Sequence, residues 1–172
     1  MSKKRKLLLI ALSILIIGYL IPENMSIPVA GATTSSWNKE SFWYYPWGKS
    51  GTHKGIDIFS KEGSDVIAAT EGIVLYKGEI SRGGNIIVVL GPKWRIHYYA
   101  HLKSFNTHFF AFVSRGEKIA EVGTTGNAKG KPPHLHYSFA TLIPYPWRID
   151  GSHQGWKKIF YLNPTEHFNI TN

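Results

Sequence analysis

The chain has 172 residues, and its 20 Lys plus Arg against 11 Asp plus Glu give a formal net charge of +9 at pH 7. That length suits one domain, and a 43% hydrophobic composition with six Trp and nine Tyr excludes disorder for most of it. Cysteine is absent, which excludes a disulfide framework, a thiolate-bound metal and a thiol nucleophile, so any metal must be held by His and carboxylate.

The chain opens on a basic cluster, Lys3, Lys4, Arg5 and Lys6. An apolar run from Leu7 to Ile21 follows, interrupted by Ser13, Gly18 and Tyr19 and ended by Pro22. As a helix at about 1.5 Å per residue it reaches about 22 Å, short of the hydrocarbon core of about 30 Å. A basic start followed by such a run reads as a secretory signal, with Ala30 and Ala32 offering a small-residue cleavage site. That site lies well past Ile21, so an uncleaved membrane anchor over residues 1–23 is the alternative. Both readings keep the basic cluster in the cytoplasm and place the rest outside it, periplasmic or extracellular.

Residues 24–41 are small and polar and read as a linker. Residues 42–168 read as one domain. Strand signals recur there at Val66–Thr70, Gly72–Tyr76, Asn85–Leu90, Arg95–Leu102, Lys118–Val122 and Leu135–Phe139, separated by glycine-rich turns. Spacings of strand length without a helical period predict an all-β, antiparallel domain with a cleft.

Eight histidines carry the chemical interest. His53 and Asp57 are spaced to share a face if both lie on a strand, and His134 and His136 share a face around Leu135. Residues from these two motifs can then meet at one ion. Imidazole nitrogen and carboxylate oxygen suit zinc, whose catalytic sites take three protein ligands and leave one position for water. Spacings this short also arise by chance among eight histidines, so structural or surface histidines are an equal reading from spacing alone.

The flanking residues add more. HKGIDIFSKEGSDVIAATEGIV (His53–Val74), GGNIIVVLGP (Gly83–Pro92), HYYAHL (His97–Leu102) and GTTGNAKGKPPHLHYSF (Gly123–Phe139) follow one another in an order that resembles the lysostaphin-type (LytM-like) zinc metallopeptidases of peptidoglycan. The resemblance spans about residues 50–140. It implies one zinc ion held by His53, Asp57 and His136, with His134 and His101 catalytic. It implies peptidoglycan as the partner and hydrolysis of stem-peptide or cross-bridge amides as the activity. Two stretches depart from the pattern: Ser64-Asp65 stands where a Thr-Pro-like pair is expected, and the aromatic stretch Trp43–Thr52 has no clear match.

Zinc supplies an acidified water and a polarised carbonyl, and the proton then needs an acceptor. Histidine is suited to that task. His134 is assigned as the general base, with His101 assisting it or stabilising the oxyanion, and the reverse assignment stays open. His97 and Tyr99 share the parity of His101 on one expected strand, so all three can face the cleft; a hydrogen-bonded flank is the plainer role for His97. His108, His153 and His167 are expected to be solvated, and Asn85 to shape a turn. Trp43, Tyr44, Tyr45 and Trp47, joined by Trp147, form either loop packing or an aromatic cleft wall. The remaining positive charge reads as a solvated surface or as attraction to an acidic wall polymer. Nucleic acid is not expected as a partner. The rival to an enzyme is a non-catalytic peptidoglycan-binding module that activates another hydrolase.

Overall fold

Gly-punctuated apolar runs fold as strands in the computed structural model, which describes residues 1–169. The strands are β1 (Ile56–Phe59), β2 (Asp65–Ile67), β3 (Gly72–Ile80), β4 (Gly84–Gly91), β5 (Arg95–Phe105), β6 (Phe112–Val113), β7 (Lys118–Val122), β8 (His134–Thr141) and β9 (Tyr161–Leu162). They form one sheet in the order β1-β8-β5-β4-β3-β6. Strand β7 pairs with the far end of β5 and carries β2, while β9 pairs with β8. The mostly antiparallel β architecture agrees with the sequence. Strand β1 and the two-residue strands β6 and β9 were beyond its short-run signals.

The sheet has a core face and a cleft face. On β8, Leu135, Tyr137 and Phe139 are fully buried, and their neighbours His134 and His136 turn to the other side. On β1, Ile56 and Ile58 are buried and Asp57 faces the cleft. Each such apolar side chain contributes about 1.5–3 kcal/mol, which holds the register that aims the polar residues.

Strand β5 departs from simple alternation, and the expectation that His97 and Tyr99 can face the cleft is corrected. Both are fully buried on the core face. The Tyr99 hydroxyl accepts from the Ala69 N–H at 2.9 Å, and His97 Nδ1 lies 2.6 Å from the Tyr137 hydroxyl. Tyr98 and Ala100 line the cleft instead. His101 then reaches the cleft because its backbone is left-handed, with φ 64°. Pairing slips on both sides of it, against β4 between Asn85 and Ile87 and against β7 between Leu102 and Ser104. Two successive residues, Ala100 and His101, therefore share one face, as in a β-bulge.

The segment expected as a linker is packed. Met25, Val29 and Trp37 are buried in the core. The arm is laced to β2 and its surroundings, with Ser26 N–H to Ala69 O at 2.8 Å, Ile67 N–H to Pro28 O at 3.1 Å and Ala30 N–H to Asp65 O at 2.9 Å. Three large apolar residues at irregular spacing in a small polar stretch carry no periodic signal.

Helix α1 (Lys3–Leu20) precedes the arm and buries none of its residues. The Trp94 indole N–H donates to Leu15 O at 2.9 Å. Among the described residues, no helix is long and apolar enough to cross a membrane. Just beyond α1, the buried carboxylate of Glu23 pairs with Arg95 and lies 3.5 Å from His97 Nε2.

Candidate metal centre and active-site cleft

The sheet's cleft face floors a cavity of about 520 Å³. His53, Asp57 and His136 meet in it. His53 Nε2 lies 3.1 Å from Asp57 Oδ1 and 3.0 Å from His136 Nδ1, and His136 Nδ1 lies 2.8 Å from Asp57 Oδ1. The three residues form a metal-type donor group.

His53 arrives differently from the expected shared strand. It lies in the loop before β1, with its backbone pinned by Trp43 N–H to His53 O at 2.7 Å and His53 N–H to Tyr44 O at 3.0 Å. Gly55 lets this loop enter the sheet: a Cβ there would lie 2.4 Å from Tyr137 O. Asp57 and His136 are direct cross-strand partners between β1 and β8.

Each imidazole is set by its other nitrogen. His53 Nδ1 lies 2.9 Å from Ser41 O, and a carbonyl only accepts, so Nδ1 carries the proton and Nε2 offers its lone pair. His134 Nδ1 donates to Pro132 O at 2.8 Å and His101 Nδ1 to Thr125 O at 2.9 Å. Neutral His134 and His101 therefore each leave Nε2 as an acceptor. Their ring centres are 5.0 Å apart, and that of His101 is 6.0 Å from that of His136.

Burial opposes charge on Asp57, but its contacts with the His136 and His53 imidazoles outweigh it and hold the carboxyl far below its ordinary range. His101 is pulled down to about 4, first by burial and then by the charges of His136 and His134. Burial also lowers His136, against the pull of Asp57. Burial raises the Tyr98 hydroxyl to about 12, so it stays protonated in the cleft.

The donor set fits a zinc ion. Two nitrogens and one carboxylate oxygen converge, and tetrahedral ligands about 2.0–2.1 Å from zinc lie about 3.3 Å apart, close to the 2.8–3.1 Å seen here.

The aromatic stretch divides between its two roles. Trp47 stacks on His53, with ring centres 4.0 Å apart, and lines the cleft. Trp43 is buried, its indole donating to His153 O at 3.1 Å. Trp147 stands apart, 78% exposed and stacked on Tyr145. Asn85 serves structure: its amide donates to Leu102 O at 3.1 Å. His108 and His153 are exposed, whereas His167 is half-buried, edge-on to Phe139. The carbonyls of Ser41, Thr125 and Pro132 went unread in the sequence, because a backbone oxygen has no residue signature.

A family model described as Peptidase family M23 matches residues 51–145. The chain is 36% identical over 85 residues to DD-carboxypeptidase/endopeptidase Mpg of Neisseria meningitidis serogroup B, covering 49% of this chain and 19% of that protein. It is 35% identical over 88 residues to murein hydrolase activator NlpD of Escherichia coli, covering 51% of this chain and 22% of that one. The matches thus span about a fifth of the length of these curated relatives. Among solved structures, the catalytic domain of the antimicrobial peptidase lysostaphin from Staphylococcus simulans superposes with a TM-score of 0.58 at 26% identity, covering 73% of this chain and 86% of that one.

Proposed function

This chain belongs to peptidase family M23, and from that membership we propose that it is an exported zinc-dependent endopeptidase that hydrolyses amide bonds in peptidoglycan stem peptides or cross-bridges. The observation that carries the proposal is the pairing, in one cleft, of a three-donor group with two histidines whose Nε2 atoms are free to accept. His53 Nε2, Asp57 Oδ1 and His136 Nδ1 would hold the metal. Zinc bound there supplies an acidified water and a polarised scissile carbonyl.

The protein's own groups do the rest. His134, held by Pro132 O, takes the proton from the attacking water and returns it to the leaving amine. His101, kept uncharged by its depressed pKa, accepts a hydrogen bond from the same water and orients it. An imidazole that resists protonation is a poor donor to an oxyanion, so the orienting role suits His101 better. Trp47 fixes the His53 ring from one side while Ser41 O fixes its tautomer. Residues 1–23 act as the export signal or anchor in this account.

A second reading, a non-catalytic activator of another wall hydrolase, is favoured by the similarity to a protein named as a murein hydrolase activator. Mass spectrometry of fragments released from purified peptidoglycan by the full chain separates the two. The enzyme produces new amine and carboxyl termini with zinc, and none with chelator or with His134→Ala. A folded, zinc-loaded protein that releases nothing from several wall chemistries is the activator.

A further inference from the structure

Five of the sixteen Lys and Arg residues that follow residue 32 are gathered in the cleft. Lys49, Lys54, Arg82, Lys131 and Lys157 all line it. They come from five separate places: the turn Gly48–Ser50, the loop after His53, the β3–β4 turn, the approach to β8, and the turn Gly155–Ile159. Among the described residues lining it, Asp57 is the one carboxylate, and it is turned into the donor group. Several carboxylates elsewhere are engaged locally: Glu23 with Arg95, Asp65 and Glu121 with Lys118, Asp150 with Lys158.

The cations fall on two walls. Strand order places β1 at one side of the β8–β5 floor and the β3–β4 turn at the other. On the β1 side, Lys54 Nζ donates to Ser50 O at 3.1 Å and Lys157 Nζ to Gln154 Oε1 at 3.3 Å. Gln154 in turn donates to Ser50 O at 3.1 Å, which ties the wall together. On the other side, Arg82 O accepts from the Asn127 N–H at 3.0 Å, joining its turn to the loop that carries Lys131. A chain laid across the floor would meet positive charge before and after the histidines. Cleft walls of one sign focus the field on what lies between them.

We infer that the cleft selects peptides with free carboxylates on both sides of the scissile amide, as in two stem peptides joined directly, over an uncharged oligoglycine bridge. The inference rests on the peptidoglycan peptidase reading and names its substrate class. A neutral bridge would leave five cations without an anionic partner. An anionic peptide satisfies them on both walls, and each screened pair is worth about a two- to fivefold change in affinity. A polyphosphate chain fits less well, because its regular charges call for a continuous basic stripe, and here a histidine cluster interrupts the cations.

The test compares a directly cross-linked muropeptide dimer with its carboxamide derivative and with an oligoglycine peptide, using the full chain. The free-carboxylate dimer is expected to have about a tenfold higher kcat/KM than its amidated form, carried by KM and shrinking with added salt. Arg82→Gln and Lys157→Gln, one from each wall, should each raise KM about two- to fivefold for the free dimer and change it less for the amidated one. Equal kcat/KM for the two forms in the wild-type protein overturns the inference, as does a preference that neither variant touches. Fluorescence anisotropy of His134→Ala with labelled dimers gives a readout without turnover. Tighter binding of the free dimer there, with no cleavage by the wild type, sustains the selectivity and removes the enzyme reading. Equal binding of both dimers by a protein that does cleave walls removes the selectivity alone.

Discussion

Strands β8 and β5 are neighbours in the sheet and both deliver histidines to the cleft, but by different means. On β8 the period of two is enough: His134 and His136 alternate with buried Leu135 and Tyr137. On β5 the same period sends His97 and Tyr99 into the core, and only the left-handed backbone at His101 returns a histidine to the cleft. One strand aims its side chains by hydrophobic register, the other by a backbone conformation that costs about 1 kcal/mol for a residue with a Cβ. Register is written in residue types, whereas the bulge is written in the pairing of β5 with β4 and β7.

The largest effects should fall on turnover. His134→Ala is expected to lower kcat about 10²–10⁴-fold, the usual span for a lost acid–base group, with KM little changed. His101→Ala should lower kcat by about 10²-fold. Steady-state kinetics on a soluble cross-linked muropeptide measure both. If His101→Ala proves the more damaging, the roles of β5 and β8 are exchanged.

Next comes the core face of β5. Glu23→Gln removes the partner of Arg95, whose side chain is only 10% exposed, and leaves a buried guanidinium uncompensated. Urea unfolding should show a loss of about 3 kcal/mol. An unchanged midpoint would mean that the chain after α1 is not held to β5.

A smaller and sharper contrast uses glycine. At position 101 a glycine relieves the left-handed backbone, so His101→Gly should be about 1 kcal/mol more stable than His101→Ala. At position 134 the sign reverses, and His134→Ala should exceed His134→Gly by about 0.5–1 kcal/mol. Paired denaturation curves test it, and the same sign at both positions would remove the bulge as the device that places His101.

His101 titrates near 4 in the folded protein but near 6.5 when unfolded. Between those values the unfolded chain binds more protons, so stability of the metal-free protein falls as pH drops from about 6.5 to 4. The lowered His136 acts in the same direction. Asp57, also depressed, adds a further loss as pH falls below the ordinary carboxylate range. Thermal melts with chelator across this range should show the decline, and replacing His101 should flatten its upper part.

Much of this site can be read from the chain itself. The short motifs around His53, Asp57, His134 and His136 name the residues that converge, and the apolar runs name six of the strands. Other features resist such reading because they live in backbone atoms or in tertiary context. The tautomers depend on carbonyls at Ser41, Thr125 and Pro132. Residues 24–41 look like a spacer because Met25, Val29 and Trp37 follow no period, yet they cap the core. The charge of the domain reads as diffuse until the topology brings Lys49, Lys54 and Lys157 to one wall and Arg82 and Lys131 to the other.

Metal stoichiometry, measured on the same preparations that are assayed for peptide release, ties the donor group to turnover. One zinc per chain is expected in the wild type, His134→Ala and His101→Ala. Zinc should be lost in His53→Ala, Asp57→Asn and His136→Ala, and full release of peptide should belong to the wild type alone. Zinc retained at full occupancy by Asp57→Asn, or peptide released by a protein stripped of metal, would contradict that link.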